Sequence, residues 1–215
     1  MKKIENLDWK IRYSGGYVNA HTHLDRAYTD GEFTSEEKKC FLEEKWKLVD
    51  RIKKTSSYKE YKERINHVLN MQMGFGVSTV CSFIDIDPIV SLKAIIAARE
   101  IREERKDIKL VLANQTLKGV LDPQSEHLIR NNAPFLDIIG SLPSADKGRE
   151  AEHLNFVMKL AKEHDKLVHV HVDQLNCPSE KQTELLARKT IEHGMEGKVT
   201  AVHALSLACH PKPYR

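Results

Sequence analysis

The 215-residue sequence predicts an α/β fold in which about six parallel strands alternate with helices. Three observations predict it. Short β-branched runs recur along the whole chain and are separated by longer stretches with helical periodicity, an alternation that leads to parallel pairing through right-handed crossovers. The β-branched runs are nearly continuous in Val, Ile and Leu, as strands covered on both faces are. Polar and ionisable residues gather just beyond the ends of those runs.

The first predicted strand is Tyr17 to His21, following a short N-terminal extension over residues 1–15. A helix follows from about Ser35, with Thr34 and Glu37 as a capping box and Phe41, Trp46 and Val49 on its apolar side. It breaks at Lys53 to Ser56. Ser57 and Glu60 form a second capping box for a helix that runs to Met73, before Gly74 and Gly76. Val77 to Ile84 is the second strand, and Asp87-Pro88 opens a helix through Arg105. The third strand is Lys109 to Ala113, followed by a short polar helix over Ser125 to Asn131. Leu136 to Gly140, Leu167 to Val172 and Lys198 to His203 are the remaining strands. Helices at Glu150 to His164 and Glu180 to His193 separate them.

Composition narrows the class. Charged residues are 30% and hydrophobic residues 40%, and 34 basic against 31 acidic side chains leave a net charge of +3. Nothing in that balance favours nucleic acid or a membrane surface. No apolar run reaches the roughly 20 residues of a membrane span, and the N-terminus lacks the apolar core of a signal peptide. Cys40, Cys81, Cys177 and Cys209 are widely spaced without a CxxC pair, which fits a reducing cytoplasm.

Two architectures remain, a doubly wound open sheet and a (β/α)8 barrel, and the placement of the chemistry separates them. In a barrel, functional residues gather at the C-terminal ends of several strands. Here His21 and His23 end the first strand, Asp85 and Asp87 the second, Asn114 and Gln115 the third, His171 and Asp173 the fifth, and His203 the sixth. There is no glycine-rich dinucleotide or phosphate loop. The sequence therefore predicts a TIM-type barrel within a single domain.

His21-Thr22-His23-Leu24-Asp25 carries the sharpest chemical signal. A strand's side-chain period of two sends both imidazoles to one face, half of a nitrogen-ligand metal site. Adding His171 makes a three-nitrogen set with room for water, the open arrangement of a catalytic metal. Three imidazoles suit zinc and iron alike. His203 is either a further ligand or a hydrogen-bond partner of the attacking water. His169 reads as a buried, hydrogen-bonded residue. His67, His127, His153, His164, His193 and His210 read as surface or packing residues. Asn114 and Gln115 suit either a polar ring substrate or a simple turn.

These motifs, together with Leu136-Asp137-Ile138-Ile139-Gly140, Lys162 to Leu167 and His193 to Thr200, occur in the order that resembles the amidohydrolase superfamily and its cytosine deaminase-like branch, from about residue 16 onward. The resemblance implies a metal-dependent hydrolase of C–N bonds in cyclic amides, amidines or nucleobase-like rings. It implies His21, His23 and His171 as ligands, His203 at the attacking water or developing oxyanion, and Asp85 near the site; Gln115 is a candidate substrate contact from its place at the end of the third strand alone. Gln174 stands where cytosine deaminases carry a proton-shuttling glutamate. An amide moves no proton, so Gln174 is expected to orient substrate, and hydrolysis of a substituted amine or cyclic amide is favoured over cytosine deamination.

The family's seventh and eighth strands, with an eighth-strand aspartate that is both metal ligand and general base, lie outside these 215 residues. Six strands are expected not to close a barrel, which predicts self-association or a completing chain. The competing expectations are a catalytically impaired remnant or a fragment of a longer protein that keeps a metal or ligand pocket, and a TatD-type nuclease, which also begins with His-x-His-x-Asp.

Overall fold

The computed structural model describes residues 2–214. Six strands are hydrogen-bonded in the order β1-β2-β3-β4-β5-β6. They are β1 (Tyr17–Thr22), β2 (Val77–Asp85), β3 (Lys109–Gln115), β4 (Ile138–Ser141), β5 (Leu167–Val172) and β6 (Val199–His203). Strand β1 pairs parallel with β2, and β3 with β4, β4 with β5 and β5 with β6 do the same. Among the described residues seven α-helices accompany them: α1 (Lys2–Tyr13), α2 (Leu42–Thr55), α3 (Tyr58–Gly74), α4 (Lys93–Glu104), α5 (Pro123–Asn132), α6 (Glu150–Glu163) and α7 (Gln182–Glu192). Among the described residues, no helix is long and apolar enough to cross a membrane.

The chain divides into two compact units, Met1–Ile84 with Ile89–Leu112, and Asp85–Pro88 with Ala113–Arg215. In the first, α3 buries Tyr61, Ile65, Val68, Leu69 and Gln72, a stripe at helical spacing. It packs against α4, which buries Ala94, Ile95, Ala97, Ala98 and Ile101. The alanines let the two helices approach closely, while each buried Ile or Leu contributes about 1.5–3 kcal/mol. Val80, Phe83 and Ile84 of β2 and Leu24 beyond β1 complete this core.

In the second unit, α6 buries Leu154, Val157, Met158, Leu160 and Ala161 against β4 and β5. Val168, Val170 and Val172 of β5 are fully buried, and the strand period puts His169 and His171 on the opposite face. Asp122 starts α5 by accepting the Ser125 N–H at 2.8 Å, with Pro123 in the first turn.

The structure corrects several element boundaries. Residues Lys2–Tyr13 form helix α1 where the sequence suggested only a short extension. The Thr34–Glu37 capping box exists, with Thr34 N–H donating to Glu37 Oε2 at 2.8 Å and Glu37 N–H to Thr34 Oγ1 at 3.2 Å. It caps a 3-10 turn, Glu37–Lys39, and not a long helix, because Cys40 and Phe41 are extended (ψ 162° and 163°). Helix α2 begins afresh at Leu42. The Ser57–Glu60 box does start α3. Helix α4 begins at Lys93, later than Asp87-Pro88 suggested, because Ser91 is left-handed at φ 55°. Strand β3 runs on through Asn114 and Gln115, and β4 ends one residue later than expected, at Ser141.

One glycine is fixed by a close approach. Gly119 has φ +81°, and a Cβ there would lie 2.2 Å from Asp146 Oδ1 and 2.5 Å from its Cγ. Asp146 cannot retreat freely, since it accepts the N–H groups of Val120 and Leu121 at 2.8 and 3.3 Å. Gly119→Ala is therefore expected to lower stability by about 2–3 kcal/mol, read as a lower urea midpoint at unchanged slope.

Candidate functional site

Apart from His169, which lies inside β5, the singled-out polar residues of the strands lie at or just beyond C-terminal strand ends. His21 is the next-to-last residue of β1, and His23 follows the strand at φ −128°, ψ 82°. The β1–β2 register shifts between Asn19 and Thr22, an irregularity that re-aims the side chains around His21. The two imidazoles meet edge to face with centroids 5.2 Å apart, and both lie against the Phe83 ring, at 4.7 and 5.5 Å. The motif is fastened from outside. Leu24 N–H donates to Ser82 Oγ at 3.0 Å, and Arg64 donates to the Asp25 carbonyl at 2.6 Å. Asn19 reaches α3 through Gln72 Oε1 at 3.0 Å and accepts the His21 N–H at 3.3 Å.

His171, 2% exposed, faces away from the valines of β5. Its Nδ1 lies 3.3 Å from the Ser141 carbonyl. A carbonyl only accepts, so this bond makes Nδ1 the protonated nitrogen. His203 sits beside it, ring centroids 5.3 Å apart and tilted by 47°. Burial pushes the His203 pKa below the ordinary imidazole value, and does the same to His169, which is half-buried. His203 and Ala204 are both left-handed, at φ 73° and 51°, although neither is glycine. Such conformations cost about 1–3 kcal/mol each and cluster at functional sites. Ala204 N–H to Val172 O at 3.1 Å and Leu205 N–H to Asp173 O at 2.9 Å hold this turn against the end of β5.

Asp173 is an anchor. It is left-handed at φ 47°, and its carboxylate accepts the Gln182 N–H at 2.8 Å and the Thr183 N–H at 3.2 Å, at the start of α7. Gln174 follows it in a half-buried position. Asp85 ends β2 and is buried, and Ile86 N–H next to it donates to the Gln115 carbonyl at 2.8 Å.

Asn114 and Gln115, alike in sequence terms, differ in the structure. Asn114 is a clasp: its Nδ2 donates to Gly140 O and its Oδ1 accepts Gly140 N–H, both at 3.0 Å. Gln115 is 5% exposed, and its Oε1 is buried with no hydrogen-bond partner among the described residues. A buried acceptor without a donor is the kind of group a ligand satisfies.

Sequence reasoning missed one cluster. His153 of α6 is fully buried, with Nδ1 2.6 Å from Asp146 Oδ2 and Nε2 2.6 Å from Ser141 Oγ. Burial is the largest influence on both titrating groups. It keeps His153 below the ordinary imidazole value despite the carboxylate. For Asp146 it is outweighed by the His153 and backbone N–H bonds, which hold the carboxyl below its ordinary value. Ser141, Asp146 and His153 lie within thirteen residues but on three different elements, the end of β4, a 3-10 turn and α6, and no helical or strand periodicity announces the triple. The only signal was that His153 falls on the buried stripe of α6.

No family model matches the chain. It is 46% identical over 214 residues to an uncharacterized protein of Haemophilus influenzae, covering 96% of this chain and 76% of that one. It is 30% identical over 211 residues to the N-isopropylammelide isopropyl amidohydrolase of a Pseudomonas species, covering 94% of this chain and 52% of that one. Among solved structures, 5-methylcytosine deaminase from Klebsiella pneumoniae liganded with phosphonocytosine superposes with a TM-score of 0.84 at 27% identity, over 93% of this chain and 49% of the deaminase. The chain thus spans about half the length of the two relatives with named activities. The likeness identifies the six βα units as part of a TIM-type (β/α)8 barrel, the fold class the sequence predicted.

The Asn114 clasp gives a direct check. Asn114→Ala leaves a buried N–H and a buried carbonyl of Gly140 without their partner, and is expected to cost about 2–4 kcal/mol in denaturant unfolding. Gln115→Ala, which removes no bond within the protein, is expected to cost far less.

Proposed function

The chain belongs to the amidohydrolase superfamily, and on that membership we propose that it hydrolyses a non-peptide C–N bond of a small cyclic amide, amidine or nucleobase-like ring, with a divalent metal ion held by His21, His23 and His171. The observation that carries the reading is the donor set: His21 and His23 stand beside each other at the end of β1 with ring centroids 5.2 Å apart, and His171 stands at the end of β5 with its Nδ1 fixed by the Ser141 carbonyl. Neutral nitrogen donors suit zinc or iron, and three of them leave coordination positions for water and substrate. The ion, when bound, supplies a water acidic enough to attack a ring carbon at neutral pH.

The protein's own groups do the rest. His171 presents Nε2, because Ser141 O holds Nδ1–H. His203, adjacent to His171, makes a hydrogen bond to the attacking or developing oxygen. Gln115 offers its buried, unmatched carbonyl to a ring N–H of the substrate. Asp85, buried at the end of β2, contributes polarity on the substrate side. Gln174 orients substrate by hydrogen bonding and carries no proton. The relatives' names, an N-isopropylammelide amidohydrolase and a 5-methylcytosine deaminase, support C–N hydrolysis as the reaction class. They do not favour a nuclease.

Metal analysis after dialysis tests the ligand set. The wild-type chain is expected to retain about one zinc or iron per chain, and His21→Ala, His23→Ala or His171→Ala to lose most of it. A panel of cyclic amides and amidines tests the reaction. Bound metal without turnover would turn the reading to a ligand-binding remnant, and no retained metal would sink it. Gln115→Ala is expected to weaken binding of a responding ligand about tenfold, the worth of one hydrogen bond, with metal content unchanged.

A further inference from the structure

Ser141, His153 and Asp146 are linked in the order of a hydrolytic triad, yet their placement gives them a different task. An ionised carboxylate only accepts, so His153 Nδ1–H donates to Asp146 Oδ2 at 2.6 Å. The neutral ring then has its lone pair at Nε2, and the Ser141 hydroxyl donates to it at 2.6 Å. Ser141 is 1% exposed and His153 is fully buried, and the hydroxyl is directed at α6. No substrate reaches that oxygen, which rules out a nucleophile. What does leave Ser141 in the other direction is its carbonyl, the acceptor of His171 Nδ1–H at 3.3 Å.

We propose that Asp146, His153 and Ser141 are positioning residues: they fix the end of β4 so that the Ser141 carbonyl holds His171 in the Nδ1–H tautomer, with Nε2 directed to the metal. This rests on the ligand role given to His171 above. Ser141 pairs with Val170 as the last residue of β4, and Leu142 leaves the strand at φ −144°, ψ 84°. The peptide bearing the Ser141 carbonyl therefore lies where regular pairing stops, and the hydroxyl bond to His153 restrains its rotation. The far end of the chain is rigid as well. Asp146 accepts two backbone N–H groups, and Gly119 has no side chain because Asp146 fills that space. Outer groups of this kind set both ring orientation and ligand basicity.

The test combines long-range 1H–15N NMR of the metal-free protein, which distinguishes imidazole tautomers, with zinc affinity from chelator competition. Wild-type His171 is expected as the Nδ1–H tautomer. Ser141→Ala is expected to lose that preference and to bind zinc about 10–100-fold more weakly. Ser141→Thr restores the hydroxyl and is expected to recover both. Ser125→Ala removes another fully buried hydroxyl of the same unit, one with no hydrogen-bond partner among the described residues, and is expected to change neither. His153→Gln should behave as Ser141→Ala. If it does not fold, the Ser141 pair still decides. Wild-type tautomer and affinity in Ser141→Ala would overturn the proposal. A wild-type chain that binds no zinc would overturn the metal reading instead, and the tautomer comparison would then decide the positioning role alone.

Discussion

A parallel strand packed under helices has one face committed to the core, and the other face and the C-terminal end are all that remain for chemistry. Strand β5 shows the constraint at its plainest. Val168, Val170 and Val172 are fully buried, so the period of two leaves positions 169 and 171 for imidazoles. A one-residue slip would exchange the two sets, placing histidines under α6 and valines where the imidazoles stand. The same constraint sends His21, Asp85, Gln115 and His203 to strand ends. The chemistry is located by the packing before any ligand is considered.

Strand ends are also where backbone pairing runs out, so each is fastened by a side chain. Ser82 holds the turn after β1, and Asn114 ties the end of β3 to Gly140. Ser141 is held from α6 by His153, and Asp173 reaches across to the first N–H groups of α7. Every one of these fasteners is a short polar side chain bonded at least in part to backbone or to a buried partner. Such bonds contribute only about 1 kcal/mol when made, but a buried partner left without them costs more. Their value lies in removing alternative geometries from loops that would otherwise be mobile.

Much of this was legible in the sequence. All six strands and their parallel alternation followed from β-branched runs, and the paired histidines followed from a three-residue pattern on a strand. The Ser57–Glu60 box marked a true helix start. What was not legible shares a cause. The Thr34–Glu37 box formed as expected, but two extended residues, Cys40 and Phe41, stopped the helix, and neither residue type is a breaker. The left-handed turns at Asp173, His203 and Ala204 lack glycine, so no residue announced them. Asn114 and Gln115 are neighbours of nearly the same chemistry, and only the position of Gly140 makes one a clasp and the other an open acceptor. Local patterns carry local structure. Partners brought by other elements carry the rest.

That distinction bears on how the His153 cluster should be read. Three residues in triad order invite the assignment of a nucleophile, and the distances alone would allow it. The direction of the hydroxyl decides otherwise. A nucleophile must present its oxygen to a space a substrate can enter, as a strained turn at a strand end does. The Ser141 hydroxyl is bonded to His153 of α6, and both residues are buried where α6 packs on β4, which leaves no entry for a substrate. The same burial that removes a catalytic role strengthens a structural one, because hydrogen bonds in a dry interior resist exchange with water. His171 is then reached through Ser141's main chain and not its side chain. The buried triple and the strand end thus divide one residue between two tasks: its hydroxyl belongs to the layer under α6, and its carbonyl belongs to His171.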